Sequence, residues 1–148
     1  MTTLHERIET ALPLQDAFDF IADFSNAAHW DPGVATAVRL DRGPIREGTR
    51  VRLGVRMAGR VAPMDYVVTT WQPPTRVVLT GAGSGVVAVD DIRFETTPTG
   101  TRIDYTADIR LRGILRLAAP FAGGTFERIA RDARDGMQRA LDRRATAS

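Results

Sequence analysis

Residues Leu115 to Arg144 make the strongest demand on the rest of this chain. Apolar side chains recur there at Leu115, Ala118, Phe121 or Ala122, Phe126, Ile129, Ala133, Met137 and Ala140–Leu141. Steps of three and four residues are the period of one helix face. The opposite face carries Arg128, Arg131, Asp132, Arg134, Asp135, Arg139, Asp142 and Arg143. A one-sided helix of this length needs a broad apolar surface to lie on. Pro120 interrupts the pattern, because a proline cannot donate to the carbonyl four residues earlier. A break or irregular turn is therefore predicted between Gly113 and Gly124, and that segment would gate whatever space lies below.

The surface is supplied by strands. Thr101 to Leu111 alternates Ile103, Tyr105, Ala107, Ile109 and Leu111 with Arg102, Asp104, Thr106, Asp108 and Arg110. Such alternation is what an antiparallel sheet with one wet face requires. The same period of two marks Leu4–Ala11, Val34–Leu40, Thr49–Met57, Arg60–Trp71, Arg76–Thr80 and Val86–Glu95. Turns are predicted at Ala58-Gly59, at Gly81-Ala82-Gly83-Ser84-Gly85 and at Thr97-Pro98-Thr99-Gly100. Between the first two strands, Pro13 opens a short helix whose buried face is Ala17, Phe18, Phe20, Ile21 and Phe24. Ser25 is a candidate N-cap for a second short helix, Asn26 to Trp30, stopped by Asp31-Pro32-Gly33. The order is one strand, two short helices, six strands and a long helix, which implies an α+β fold in one domain over 1–148. A curved, seven-stranded antiparallel sheet would wrap around the final helix.

Composition narrows the function classes. The sequence pI of about 9.9 looks basic, yet formal net charge is only +2, and all 20 basic residues are arginine. Acids are interleaved with the arginines and no basic tract occurs, so a nucleic-acid partner is not expected. There is no cysteine, which removes disulfides and thiolate metal sites. No apolar run is long enough for stable membrane insertion, and MTTLHERIE lacks a signal-peptide pattern, so the expectation is a cytoplasmic monomer or homodimer. No cofactor motif is present. Gly81–Gly85 lies between strands and opens no helix, as a phosphate loop would, and there is no GxSxG elbow. With only two histidines, His5 and His29, in different elements, no metal site is expected.

The segments AFDFIADFSNAAHWDPGV, TPTGTRIDYTADIRLRG and LRLAAPFAGGTFERIARDARDGMQRALD, in this strand order, resemble the SRPBCC superfamily, the START-like or helix-grip fold. The similarity is to its bacterial polyketide cyclase/dehydrase-like branch and covers nearly the whole chain. The resemblance implies a deep, largely apolar cavity between sheet and long helix that takes a lipid, polyketide or other hydrophobic small molecule. It supplies no universal catalytic motif.

Inward parity and the family's cavity together select ligand-binding candidates: Phe24, Trp30, Leu53, Val55, Met57, Met64, Tyr66, Val68, Leu79, Asp90, Ile92, Tyr105, Phe121, Phe126 and Ile129. The competing reading is that these residues simply fill the core. Glycines at 123, 124 and 136 near the helix's apolar face supply no volume and favour a cavity. Asp90 shares parity with Val86, Ala88, Ile92 and Phe94, so it points inward unless a bulge turns it to solvent. Burial would then raise its pKa. Glu6 reaches the cavity by the same parity with Leu4 and Ile8, or frays into water. His29 beside Trp30 would sit at the mouth, or on the surface. Binding of a hydrophobic molecule is the primary reading. The alternative, a cyclase, aromatase or dehydrase, would draw its acid/base pair from Asp90, His29, Tyr66 and Tyr105.

Overall fold

The structure, a computed structural model, describes residues 1–147. Seven strands form one antiparallel sheet: β1 (Thr2–Thr10), β2 (Val34–Arg39), β3 (Arg50–Met57), β4 (Arg60–Gln72), β5 (Arg76–Gly83), β6 (Val86–Thr97) and β7 (Gly100–Leu111). Their order is β1-β7-β6-β5-β4-β3-β2. Strands β2 to β7 are thus a meander in chain order, and the first strand closes against the last. Helices α1 (Leu14–Ile21) and α2 (Ala27–Trp30) follow β1, with a 3₁₀ turn at Phe24–Asn26 between them, and α3 (Gly123–Ala147) ends the chain. This is the sheet and final helix expected from the hydrophobic pattern, in the helix-grip arrangement that the family resemblance implied.

Local chemistry explains the boundaries. Ala58-Gly59 and Ser84-Gly85 all have positive φ (49° and 79°, 54° and 79°), the backbone of a two-residue hairpin turn whose twist matches that of the strands. The second turn is shorter than the predicted five residues. Gly81 and Gly83 continue β5, where they pair with Ala88 and Val86. The ladder slips by one residue between Val34 and Thr36 and again between Val68 and Thr70. Such irregularities bend a strand and add twist. The cap before α2 also differs from the expectation. Ser25 lies inside the 3₁₀ turn, which Asp23 caps by accepting from the Ser25 N–H at 3.0 Å, and α2 is entered from Asn26 without a side-chain cap.

The C-terminal helix begins eight residues later than the apolar period implied. Gly113–Phe121 is a 3₁₀ helix with no buried residue, and α-helix starts at Gly123. Pro120 is the cause, together with the weak helix propensity of Gly123-Gly124. Within the segment only Leu115 packs inward, against Gly85 and the core margin. Ile114, Leu117 and Phe121 are 82%, 77% and 86% exposed.

The core fills one end of the concave face. Phe18 of α1 stacks on Trp71 and Phe94 with ring centroids 5.1 Å away in each case, and Met137, Ala140 and Leu141 of α3 close over it. Along β7 the inward side chains are graded: Ile103 is fully buried, whereas Tyr105, Ala107, Ile109 and Leu111 are only half-buried. The sheet is packed solid at one end and left open beneath the N-terminal half of α3. On the convex face arginines meet carboxylates across strands, as in Arg52–Asp65 at 2.7 Å. These exposed pairs contribute little.

The clamp between α3 and the turn after α2 depends on Gly136. A Cβ at this position would collide with the Trp30 carbonyl oxygen and press on Pro32 Cδ at 2.8 Å. Gly136→Ala would gain up to about 1 kcal/mol of helix propensity, but a clash with backbone costs typically about 1–3 kcal/mol. Net destabilisation is expected in urea unfolding. An unchanged or raised midpoint would show that α3 can retreat from this turn.

Candidate functional site

Two connected lobes of about 140 and 150 Å³ lie between sheet and α3. They share the walls Trp30, Asp31, Tyr66, Ala88, Asp90, Tyr105, Ile109 and Ile129. One lobe extends under α3 toward β1, reaching Leu4, Glu6, Ile8, Ala133, Arg134 and Met137. The other extends toward β3 and β4, reaching Phe24, Leu53, Val55, Met57, Met64 and Phe126. Each strand contributes alternate residues, so the strand period of two determines which side chains enter.

The shared wall is aromatic. Phe24 meets Tyr66 at 5.4 Å and Trp30 at 6.1 Å, and Trp30 meets Tyr105 at 6.2 Å, all edge-to-face. Tyr66 lies across Gly81 of the neighbouring strand, where any Cβ would fall inside the ring. Gly81 is therefore what lets Tyr66 lie in this position. Two polar groups in the wall have no partner among the described residues. Trp30 is 4% exposed and its Nε1–H is buried without an acceptor. Tyr66 is 7% exposed and its hydroxyl makes no hydrogen bond.

Asp90 and Asp91 show the inside and outside of one strand. Asp91 faces the convex side. Partial burial pushes its carboxyl up, but hydrogen bonds and charge from Arg76 at 3.0 Å and Arg93 at 3.5 Å outweigh it and hold it below the usual range. Asp90 points inward, is 6% exposed, and accepts from the Tyr105 hydroxyl at 2.9 Å. Burial pushes its carboxyl up to about 7. The Tyr105 hydrogen bond lowers it only in part, and the charges of Asp31 and Asp108 raise it further. Burial likewise pushes the Tyr66 and Tyr105 phenols well above their usual value, with Asp90 adding repulsion.

Asp31 is the site residue that sequence reasoning missed. It was legible only as a helix stop. In the fold it follows Trp30 into the cavity and lines both lobes. Burial raises its carboxyl, while a hydrogen bond from the Gly33 N–H at 2.8 Å opposes this. The Asp-Pro-Gly turn thus also delivers a carboxylate, and only the contact of α2 with α3 reveals it.

Of the named candidates, Phe24, Trp30, Leu53, Val55, Met57, Met64, Tyr66, Asp90, Tyr105, Phe126 and Ile129 line the cavity. Val68, Leu79 and Ile92 do not; they are completely enclosed in the packed core. Phe121 does not either, because the 3₁₀ segment turns it to solvent. His29 is exposed on the outer face of α2, in a groove with Phe20, Arg143 and Arg144, away from the cavity. Strand parity could not separate core from cavity, since both lie on the same face. Glu6 reaches the rim, 3.8 Å from Arg134.

Comparison with known proteins agrees with this architecture. The model of the family described as polyketide cyclase/dehydrase and lipid transport matches residues 1–145. The chain belongs to that family. No curated protein matches it. Among solved structures, the ZhuI aromatase/cyclase of a Streptomyces species superposes with a TM-score of 0.77 at 17% identity, over 98% of this chain and 93% of that one. A START superfamily protein from Mycobacterium smegmatis gives 0.75 at 15% identity, over 98% and 97%. A protein from Thermus thermophilus gives 0.77 at 14% identity, over 99% of both chains. At such identities the likeness speaks to the fold alone. No described helix is long and apolar enough to cross a membrane.

The raised carboxyl of Asp90 has a signed consequence for stability. The native state holds its proton up to about pH 7, whereas the unfolded chain releases it near pH 4. The favourable contribution is complete below the unfolded pKa and is lost as pH rises through the native one. Asp90→Asn keeps an acceptor for Tyr105 and removes the charge. Its stability relative to wild type should rise by about 2–4 kcal/mol between about pH 4 and pH 8, as read from urea titrations at several pH values. A difference that stays flat with pH would mean that Asp90 ionises normally in the fold.

Proposed function

We propose that this domain binds a compact hydrophobic molecule in the two-lobed cavity. The carrying observation is the cavity wall itself: apolar and aromatic side chains enclose a space in which two polar groups, Trp30 Nε1–H and the Tyr66 hydroxyl, lack partners. A buried polar group such as the Trp30 N–H is normally hydrogen-bonded, and a ligand in this space can partner both groups. The lobes together approach only the lower end of the roughly 300–1,000 Å³ common for small-molecule sites, which favours a ligand built on one or two rings. Burying one ring removes about 150–250 Å² of surface, a gross gain of about 4–6 kcal/mol before association costs. The family description, polyketide cyclase/dehydrase and lipid transport, is compatible with such a role.

Native mass spectrometry of protein purified from its own host should detect a bound small molecule. The folded variant Tyr66→Asp should lose it, because the wall shared by both lobes loses an aromatic ring and the apolar contact area it offers. Retention of the same molecule by Tyr66→Asp at full occupancy would place the ligand outside this cavity.

A second reading, a cyclase or dehydrase, is favoured by one observation. A buried carboxyl near pH 7, hydrogen-bonded to Tyr105, is the kind of group that serves as general base or acid at neutral pH. If the cavity performs such chemistry, Asp90→Asn should keep ligand affinity while turnover falls about a hundredfold or more. Equal turnover by Asp90→Asn and wild type would remove Asp90 from the chemistry.

A further inference from the structure

Once Asp90 is ionised, above about pH 7, the cavity contains an unbalanced charge that a purely apolar ligand would leave in place. Asp31 and Asp90 both line the two lobes, and neither forms an ion pair. They come from separate elements, the turn after α2 and strand β6; the charge of Asp31 raises the Asp90 carboxyl, and that of Asp132 on α3 raises the Asp31 carboxyl. Two arginines reach the walls without correcting this. Arg134 of α3 is engaged with Glu6 at 3.8 Å and Asp135 at 3.1 Å. Arg56 of β3 borders the other lobe and is exposed, pairing with neither aspartate. A buried carboxylate such as Asp90 is costly without a cation, and the half-buried Asp31 facing the same cavity adds to the cost.

The surroundings are suited to a cation. Phe24, Trp30, Tyr66 and Tyr105 form a continuous aromatic wall, and aromatic faces attract ammonium groups, most strongly where water is excluded. The Tyr66 hydroxyl, without a hydrogen-bond partner in the same wall, offers a further acceptor for an N–H. An anionic ligand would meet two carboxylates there, and a neutral one would leave their charge unpaired.

Resting on the reading of the cavity as a ligand site, we propose that the ligand is a protonated amine on a compact aromatic or aliphatic body. Its ammonium group sits between Asp31 and Asp90, with the Tyr66 hydroxyl as an additional acceptor, and its body occupies the aromatic wall. The amine supplies the positive charge that the protein does not provide. Part of the binding energy is then the release of an electrostatic strain present in the empty cavity.

The test compares phenethylamine with phenethyl alcohol by isothermal titration calorimetry. The two probes differ only in the terminal ammonium or hydroxyl. At about pH 8, with Asp90 ionised, the amine should bind at least about tenfold more tightly, equivalent to about 1.4 kcal/mol. The preference should shrink severalfold by about pH 5.5 as Asp90 takes up its proton. The groups facing Asp90 are Asp31, Tyr66 of β4, and Tyr105 and Asp108 of β7. Glu6, Arg134 and Arg56 stand farther out at the rims. Asp90→Asn and Asp31→Asn should each reduce the ratio of amine to alcohol affinity severalfold. Alcohol binding as tight as amine binding at about pH 8 would overturn the ammonium class and leave the cavity standing as a ligand site. An undiminished amine preference in both variants would overturn it as well, by placing the charge recognition elsewhere. Binding of neither probe at about millimolar concentration would overturn this proposal and the cavity reading together.

Discussion

The close approach of α3 to the turn after α2 is the contact on which the rest of this structure depends. Gly136 lets the helix backbone touch the Trp30 carbonyl and Pro32. Around that contact Met137, Ala140 and Leu141 seal the core, and Gln138 donates to the Glu9 carbonyl of β1 at 2.8 Å. Arg144 lies over the Phe20 ring of α1 at 4.1 Å. The C-terminal half of α3 is therefore held from three sides. Its N-terminal half has no such anchor and spans the cavity as a roof. The same contact fixes the turn that carries Trp30 and Asp31, so the pocket's two walls are referenced to one point.

This division of labour separates stability from recognition. The packed end, with Phe18 between Trp71 and Phe94, supplies apolar burial without any polar compromise. The open end concentrates the compromises: an indole N–H without an acceptor, a phenol without a partner, and two carboxylates whose charge is opposed by burial. Sites of function commonly carry groups whose local cost is borne by the remainder of the fold. Here that remainder is a single large sheet with few long loops.

Much of the architecture was legible because strand alternation is a strong signal when one face is wet. Ile103, Tyr105 and Ile109 read correctly as inward, and Pro120 announced the irregular segment before α3. The failures have physical causes. A period of three and four continues through Leu115, Ala118 and Phe121, but periodicity carries no information about whether a proline permits the hydrogen bonds. Val68, Leu79 and Ile92 share parity with the cavity residues, and only their position along the strands, toward the closed end, takes them into the core. Asp31 was invisible because a turn residue has no face; its direction is decided by which helix packs over the turn. His29 shows the converse, a residue adjacent to Trp30 in sequence yet on the other side of its helix.

The strand order has a consequence for how the chain assembles. Strands β3 to β7 follow one another through hairpins, so most of the sheet can form by local steps as soon as its residues are available. Strand β1 is different. Thr2 pairs with Ile109 and Thr10 with Thr101, contacts between opposite ends of the sheet-forming chain. Closing so long a loop is slow compared with hairpin formation. Strand β1, made before every other strand of the sheet, must therefore wait, unpaired, for the last of them. Until β7 is complete, α3 lacks the β1 backbone to which Gln138 bonds. Closure of the sheet and docking of the roof thus belong to the final stage of folding, and the binding cavity comes into existence only then.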